Sequence, residues 1–350
     1  MARAESIDDT KNVISDAIVA RLAGKIVEFD KTSLTRQALA QAKSRIIDTI
    51  GVTLAGVPEP CTQILLRTPG VATAPGLSLI VGTDRRTSAL DATLVNGAAS
   101  HALDLDGTPG GHHRVPIVSM LFALAEERKG RGDDLIAAYV IGIETETRLA
   151  PALDFHDDKG RHPAFTLGTF AAAVAASHFL KLDPERVAAA LAIAASLANS
   201  ITVDVGAMTK PLLLGQCARN GLLAALLAEQ GLDAVANASA DHQGFFHVFN
   251  GAGAFDVERL FADWGAPLAI EAATTGHSEQ WDKFEDRAAR ALPREHIASL
   301  FERLETLDKV VDMSQATRLL QTSALHQPQA KKVVFAARGE HEPEETTWVP

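Results

Sequence analysis

Acids and imidazoles crowd into one stretch of an otherwise alanine- and leucine-rich chain, Asn96-Gly-Ala-Ala-Ser-His-Ala-Leu-Asp-Leu-Asp-Gly-Thr-Pro-Gly-Gly-His-His113. It begins as the end of a small-residue helix and runs into a glycine-broken loop carrying Asp104, Asp106, Thr108, His112 and His113. Three later points bring complementary groups. His162 stands just before a helix start at Pro163, where the helix dipole favours anions. Lys210 directly precedes Pro211 at another helix start, a poor place for a cation, so it serves some other purpose. Arg219 lies further along that same segment, in Gln216-Cys-Ala-Arg-Asn-Gly221. The loop has no histidine pair at helical i, i+4 spacing, so zinc binding is not indicated. Imidazoles, carboxylates and one lysine suit proton transfer on an anionic substrate. The aspartates would equally cap turns around Gly107 and Gly110, and the histidines would equally sit in a solvated loop. Spacing alone leaves both readings open.

Positioning such groups falls to helices. The chain has 350 residues, 47% hydrophobic and only 5% aromatic, which favours helix and allows a sizeable core. Apolar periodicity predicts helices over 13–29, 34–56, 87–101, 115–130, 135–149, 166–180, 185–199, 211–230 and 257–263. Charged amphipathic segments follow at 281–291, 294–306 and 313–321. Residues 62–66 form only a weak apolar patch, and 78–82 read as a short strand or extended loop. The reading is an all-α, bundle-like fold with closely approaching alanine-rich faces. Its expected divisions are a helical domain over 10–268, a linker over 269–280, C-terminal helices packing on that domain over 281–322, and a flexible tail over 323–350.

Charge and cysteine usage narrow the function. A net charge of −11 and a pI near 5.5 argue against nucleic acid. Cys61 and Cys217 suggest neither a disulfide framework nor a cysteine-based metal site. The N-terminal residues lack an apolar signal segment, and no run of about 18 apolar residues occurs, so the expectation is a soluble cytoplasmic protein with no membrane span.

Four ordered stretches carry a resemblance. Ile47-Asp-Thr-Ile-Gly-Val-Thr-Leu-Ala-Gly56, Asn96 to Asp106, His162-Pro-Ala-Phe-Thr-Leu-Gly168 and Lys210-Pro-Leu-Leu-Leu-Gly-Gln-Cys-Ala-Arg-Asn-Gly221 together resemble the MmgE/PrpD family. That family includes 2-methylcitrate dehydratase, cis-aconitate decarboxylase and iminodisuccinate epimerase. The resemblance implies a large helical domain, a smaller α/β lid domain, a homodimer, and neither metal nor cofactor. It also implies proton chemistry beside the carboxylates of a small polycarboxylic acid. Carried over by motif, Asp104, His112 and His162 are the expected catalytic groups, with Thr108, Lys210, His113 and Arg219 binding substrate. His112 is taken over His113 by counting back from the Ala123–Glu126 segment. The chain departs from the family pattern at three points. Gly107 stands where a second aspartate is usual, and Leu213 stands where a histidine is usual. After Ile270 the sequence passes almost directly to Trp281-Asp-Lys-Phe-Glu-Asp, leaving most of the lid domain out. The leading expectation is a cofactor-independent, dehydratase-like lyase acting on a compound such as 2-methylcitrate. The alternatives are a decarboxylase or epimerase of the same family, and a catalytically degenerate helical protein with a structural or binding role.

Overall fold

The computed structural model describes residues 18–105, 115–152, 163–198, 208–232, 256–272 and 278–322. Among them helices dominate: α1 (18–28), α2 (Arg36–Gly56), α3 (Pro60–Arg67), α4 (Ala89–Ala99), α5 (Val115–Glu127), α6 (Gly132–Ala152), α7 (Pro163–Phe179), α8 (Pro184–Leu197), α9 (Thr209–Glu229), α10 (Val257–Phe261), α11 (Ser278–Ala288), α12 (Arg294–Glu305) and α13 (Ser314–Thr317). The all-α expectation holds. One small hairpin interrupts it, pairing β1 (Ser78–Leu79) antiparallel with β2 (Arg86–Thr87). The sequence 78–82 thus supplies a strand, but its partner strand carried no signal. The weak patch at 62–66 is a helix, started by a proline in its first turn and burying Cys61, Thr62 and Leu65. Helix α6 begins earlier and ends later than the periodicity predicts. Asp133 and Asp134 lie inside its first turn, where carboxylates oppose the dipole, rather than before it.

Helix α9 is the axis of the bundle, packed against α4, α7, α8 and α5. It is long and apolar enough to cross a membrane by length and composition, yet Ala218, Leu222 and Ala225 sit in a core shared with α2, α4, α5, α6 and α7. Small residues let its neighbours come close. A methyl group on Gly97 of α4 would lie 2.7 Å from the Gly215 Cα of α9. One on Gly215 would collide with the Leu94 carbonyl and lie 2.9 Å from the Ala98 nitrogen. On the α7 side, a Cβ on Gly221 would lie 2.5 Å from the Ala172 Cβ. The glycines therefore fix where α4 and α7 cross α9.

Buried polar groups tie the remaining segments to this frame. Asn96 acts as a surrogate strand: its Oδ1 accepts from Val81 N at 3.0 Å and its Nδ2 donates to Leu79 O at 3.0 Å. Glu126 is buried, yet it accepts from Leu79 N at 2.7 Å, from Arg86 and from the Thr317 hydroxyl, which joins the hairpin to the C-terminal helices. Glu144 accepts from Ala269 N at 2.6 Å, from Gly265 N at 3.2 Å and from Arg148 Nε at 2.9 Å, anchoring 262–272 to α6. Helices α11 and α12 close over α2, with the Trp281 and Phe301 rings edge to face at 5.0 Å and Phe284 against Gly51.

At the far end of α7, the His178 Nδ1–H donates to the Ile26 carbonyl of α1 at 3.1 Å, and the ring meets Phe29 edge to face. Burial pushes this imidazole below its ordinary value of 6.5, more strongly than the Ile26 carbonyl and the charges of Asp134 and Asp30 raise it, and Lys181 acts with burial. A histidine held neutral by folding costs stability on acidification, because the unfolded chain takes the proton first.

Two outcomes are expected. Gly215→Ala should lower the unfolding free energy by at least about 2 kcal/mol, because backbone on both helices must move apart; an unchanged denaturant midpoint would show the crossing to be plastic. From about pH 7 to about pH 5, the midpoint should fall more steeply for the wild type than for His178→Gln. Equal slopes would mean that the ring protonates without strain.

Candidate functional site

Helix α4 starts at a Ser88 cap, whose hydroxyl accepts from Asp91 N at 3.2 Å. Its end is tightened by Ser100, whose hydroxyl donates to the Gly97 carbonyl at 2.7 Å. A turn follows in which Asp104 N donates to the His101 carbonyl at 3.3 Å. Asp104 then takes φ +51°, a left-handed conformation that aspartate tolerates better than most residues. The turn carries its carboxylate out to the α9 start.

Helix α9 begins without a side-chain cap: Met208 occupies the cap position and bonds no free amide by its side chain. The Cys61 thiol instead donates to the Met208 carbonyl at 3.5 Å, holding this start against α3. Lys210 lies in the first turn, its side chain 15% exposed, and its Nζ is 3.1 Å from both carboxylate oxygens of Asp104. The ammonium that the helix dipole disfavours is thus offset by a carboxylate from another helix. His101, almost fully buried, brings its Nε2 to 3.3 Å from the same carboxylate. An imidazole, a carboxylate and an ammonium therefore lie in sequence, from the core outward and back to α9.

The start of α7 meets this corner from the other side. Phe165, in its first turn, packs with Leu214 and Cys217 of α9, and Leu213 lies against them. The two helices run parallel, since Phe165 pairs with Cys217 and Thr169 with Gly221, so both N-termini face the same end. Leu213 makes this wall apolar. The Cys217 thiol beneath it is pushed up to about 12 by burial and is no nucleophile. Burial also raises the Cys61 thiol.

Of the residues expected to act, the structure brings Asp104 and Lys210 into contact. Asp106, Gly107, Thr108, His112, His113 and His162 lie outside the described residues, as does the tail from 323. The helix that His162 precedes does start beside Lys210's helix. Arg219 is not brought to the pair. It lies nine residues beyond Lys210, about half a turn round α9, and its buried Nε has no hydrogen-bond partner among the described residues. His101 was not singled out by sequence reasoning. Its position, three residues before Asp104 across a helix end, is the signal that could have found it.

The profile of the MmgE/PrpD N-terminal domain matches residues 20–258. Among curated relatives, the chain is similar to the cis-aconitate decarboxylase of Homo sapiens, 35% identical over 208 residues that make up 57% of this chain and 43% of the relative. It is similar to the Mus musculus enzyme of the same name, 32% identical over 225 residues covering 62% and 46%. It is also similar to that of Aspergillus terreus, 30% identical over 226 residues covering 60% and 46%. The chain thus spans about half the length of the curated relatives it matches.

The Asp104 side chain is 59% exposed, so its pairing with Lys210 adds little to folding. Lys210→Met should change the unfolding free energy by less than about 1 kcal/mol. A loss of about 3 kcal/mol, measured by urea unfolding, would make the pair a structural element instead.

Proposed function

The chain belongs to the MmgE/PrpD family, and from that premise we propose that it is a lyase of small polycarboxylic acids whose reaction is decarboxylation of cis-aconitate or a close analogue. The observation that carries this is the Asp104–Lys210 contact: a largely buried ammonium at an uncapped helix start, already holding a carboxylate. An incoming carboxylate finds there a cation at the positive end of a helix. Dehydration of 2-methylcitrate, the leading expectation from the sequence, gives way to decarboxylation because the matched relatives are named for it.

Decarboxylation of an unsaturated tricarboxylate asks for three things. One carboxylate must be anchored, and Lys210 does this. Another must leave as carbon dioxide, the electron pair of the broken C–C bond passing to the carbon it leaves; an apolar wall favours that step because it solvates the departing carboxylate poorly, and Leu213 and Phe165 supply such a wall. A proton must reach carbon, which falls to an imidazole; His112 and His162 remain the proposed donors, with Asp104 orienting the anchored end and Thr108 and His113 lining the binding side. A homodimer in the cytoplasm remains part of this proposal.

One feature favours a second reading, binding without turnover: Leu213 puts an isobutyl group where the family pattern has a histidine. A single NMR experiment separates the two. Wild-type protein incubated with cis-aconitate should consume it and release carbon dioxide, and Lys210→Met should slow this by at least about a hundredfold. Line broadening without conversion would support the binding protein. Neither binding nor conversion, with citrate and 2-methylcitrate equally inert, would sink the lyase.

A further inference from the structure

We propose that His101 is the positioning residue of this site: its buried imidazole holds the Asp104 carboxylate in place over Lys210. An exposed aspartate–lysine pair on its own is a loose arrangement, since the entropy of two side chains offsets most of the attraction. Asp104 is such a residue, 59% exposed, beyond a turn and in a left-handed backbone state. His101 is its opposite. The side chain is 1% exposed, and its backbone amide donates to the Ala98 carbonyl at 3.2 Å, at the end of α4. The Asp104 N–H donates in turn to the His101 carbonyl at 3.3 Å, which sets the i, i+3 spacing that brings Nε2 to 3.3 Å from Oδ1. Among the described residues, the carboxylate thus has an imidazole nitrogen beside it in the core and an ammonium on α9. Of these two, only the Lys210 contact can be exchanged for a substrate carboxylate. His101 keeps Asp104 from following Lys210, or from swinging into water, when that exchange occurs. This purpose rests on the proposed function; the positioning itself does not.

The test therefore uses no substrate. The protein is labelled with trace acetic anhydride, and acetylation at each lysine is read by mass spectrometry, with Lys31 and Lys43 as internal references because each has its own carboxylate partners. An ammonium held against a carboxylate reacts slowly, because the pairing keeps its proton and blocks access. Asparagine at 101 is too short to place a nitrogen where Nε2 stands, whereas glutamine reaches it. His101→Asn should raise acetylation of Lys210 about two- to fivefold relative to the references, the size of one exposed ion pair. His101→Gln should stay at the wild-type level. Asp104→Asn should match His101→Asn, and combining the two should add nothing further. Wild-type reactivity in His101→Asn would overturn the proposal, as would His101→Gln reacting as fast as His101→Asn. A general rise that includes Lys31 and Lys43 would overturn it too, by making His101 a core residue. Absent turnover of cis-aconitate would overturn only the proposed function and would leave this result standing.

Discussion

The contact of Gly97 with Gly215 sets the register of everything at the functional end. Backbone meets backbone where α4 crosses α9, so neither helix can slide without a clash or a gap. The two run antiparallel from that crossing. Seven residues on, α4 has ended and turned out Asp104; five residues back, α9 presents Lys210. Their meeting at 3.1 Å is therefore a consequence of helix packing rather than of attraction between exposed charges. The attraction is too weak to organise two helices, whereas the crossing is steric and firm. The Gly221 contact does the same for α7, setting its first turn beside Leu214 and Cys217 of α9.

Anchoring of the peripheral segments follows a different rule. The hairpin and the 262–272 segment are held by buried side chains that accept from backbone, Asn96, Glu126 and Glu144, and Glu126 also accepts from the Thr317 hydroxyl of the C-terminal helices. Each carries several partners, which burial of a carboxylate or amide requires. These residues stay clear of the Asp104–Lys210 pair. The central helices are thus free to use small residues, and the polar groups at their ends are free for chemistry.

Helix positions were largely legible in the sequence because apolar period and turn residues agree over most of the chain. The α3 helix was not: eight residues between prolines give too short a window for a period. The β2 strand was not either, since its two residues are defined only by the partner across the hairpin. At the site, Asp104 and Lys210 were legible by residue type and by family resemblance. Their contact was not, because it depends on a crossing whose only trace is two glycines 118 positions apart in the chain. Gly97 read simply as a residue near a helix end. Asn96, in the same motif, was given no role by the sequence and is scaffold. His101 escaped for the converse reason: a histidine among alanines at a helix end looks like packing, and its neighbour Asp104 becomes a partner only through the turn between them.

The described side chains of this corner are an ion pair beside an apolar cluster. Among the described residues, Lys210 supplies the cation that the structure brings to it, and the neighbouring side chains of Phe165, Leu213 and Leu214 offer no polar group. A hydration or dehydration step needs a place for a hydroxide or water, with donors to stabilise it. A decarboxylation needs instead a region where a carboxylate is poorly solvated and neutral carbon dioxide is welcome. Replacing the histidine of the family pattern with Leu213 removes a donor from this wall and enlarges its apolar part. That substitution is also what favours the second reading, binding without turnover.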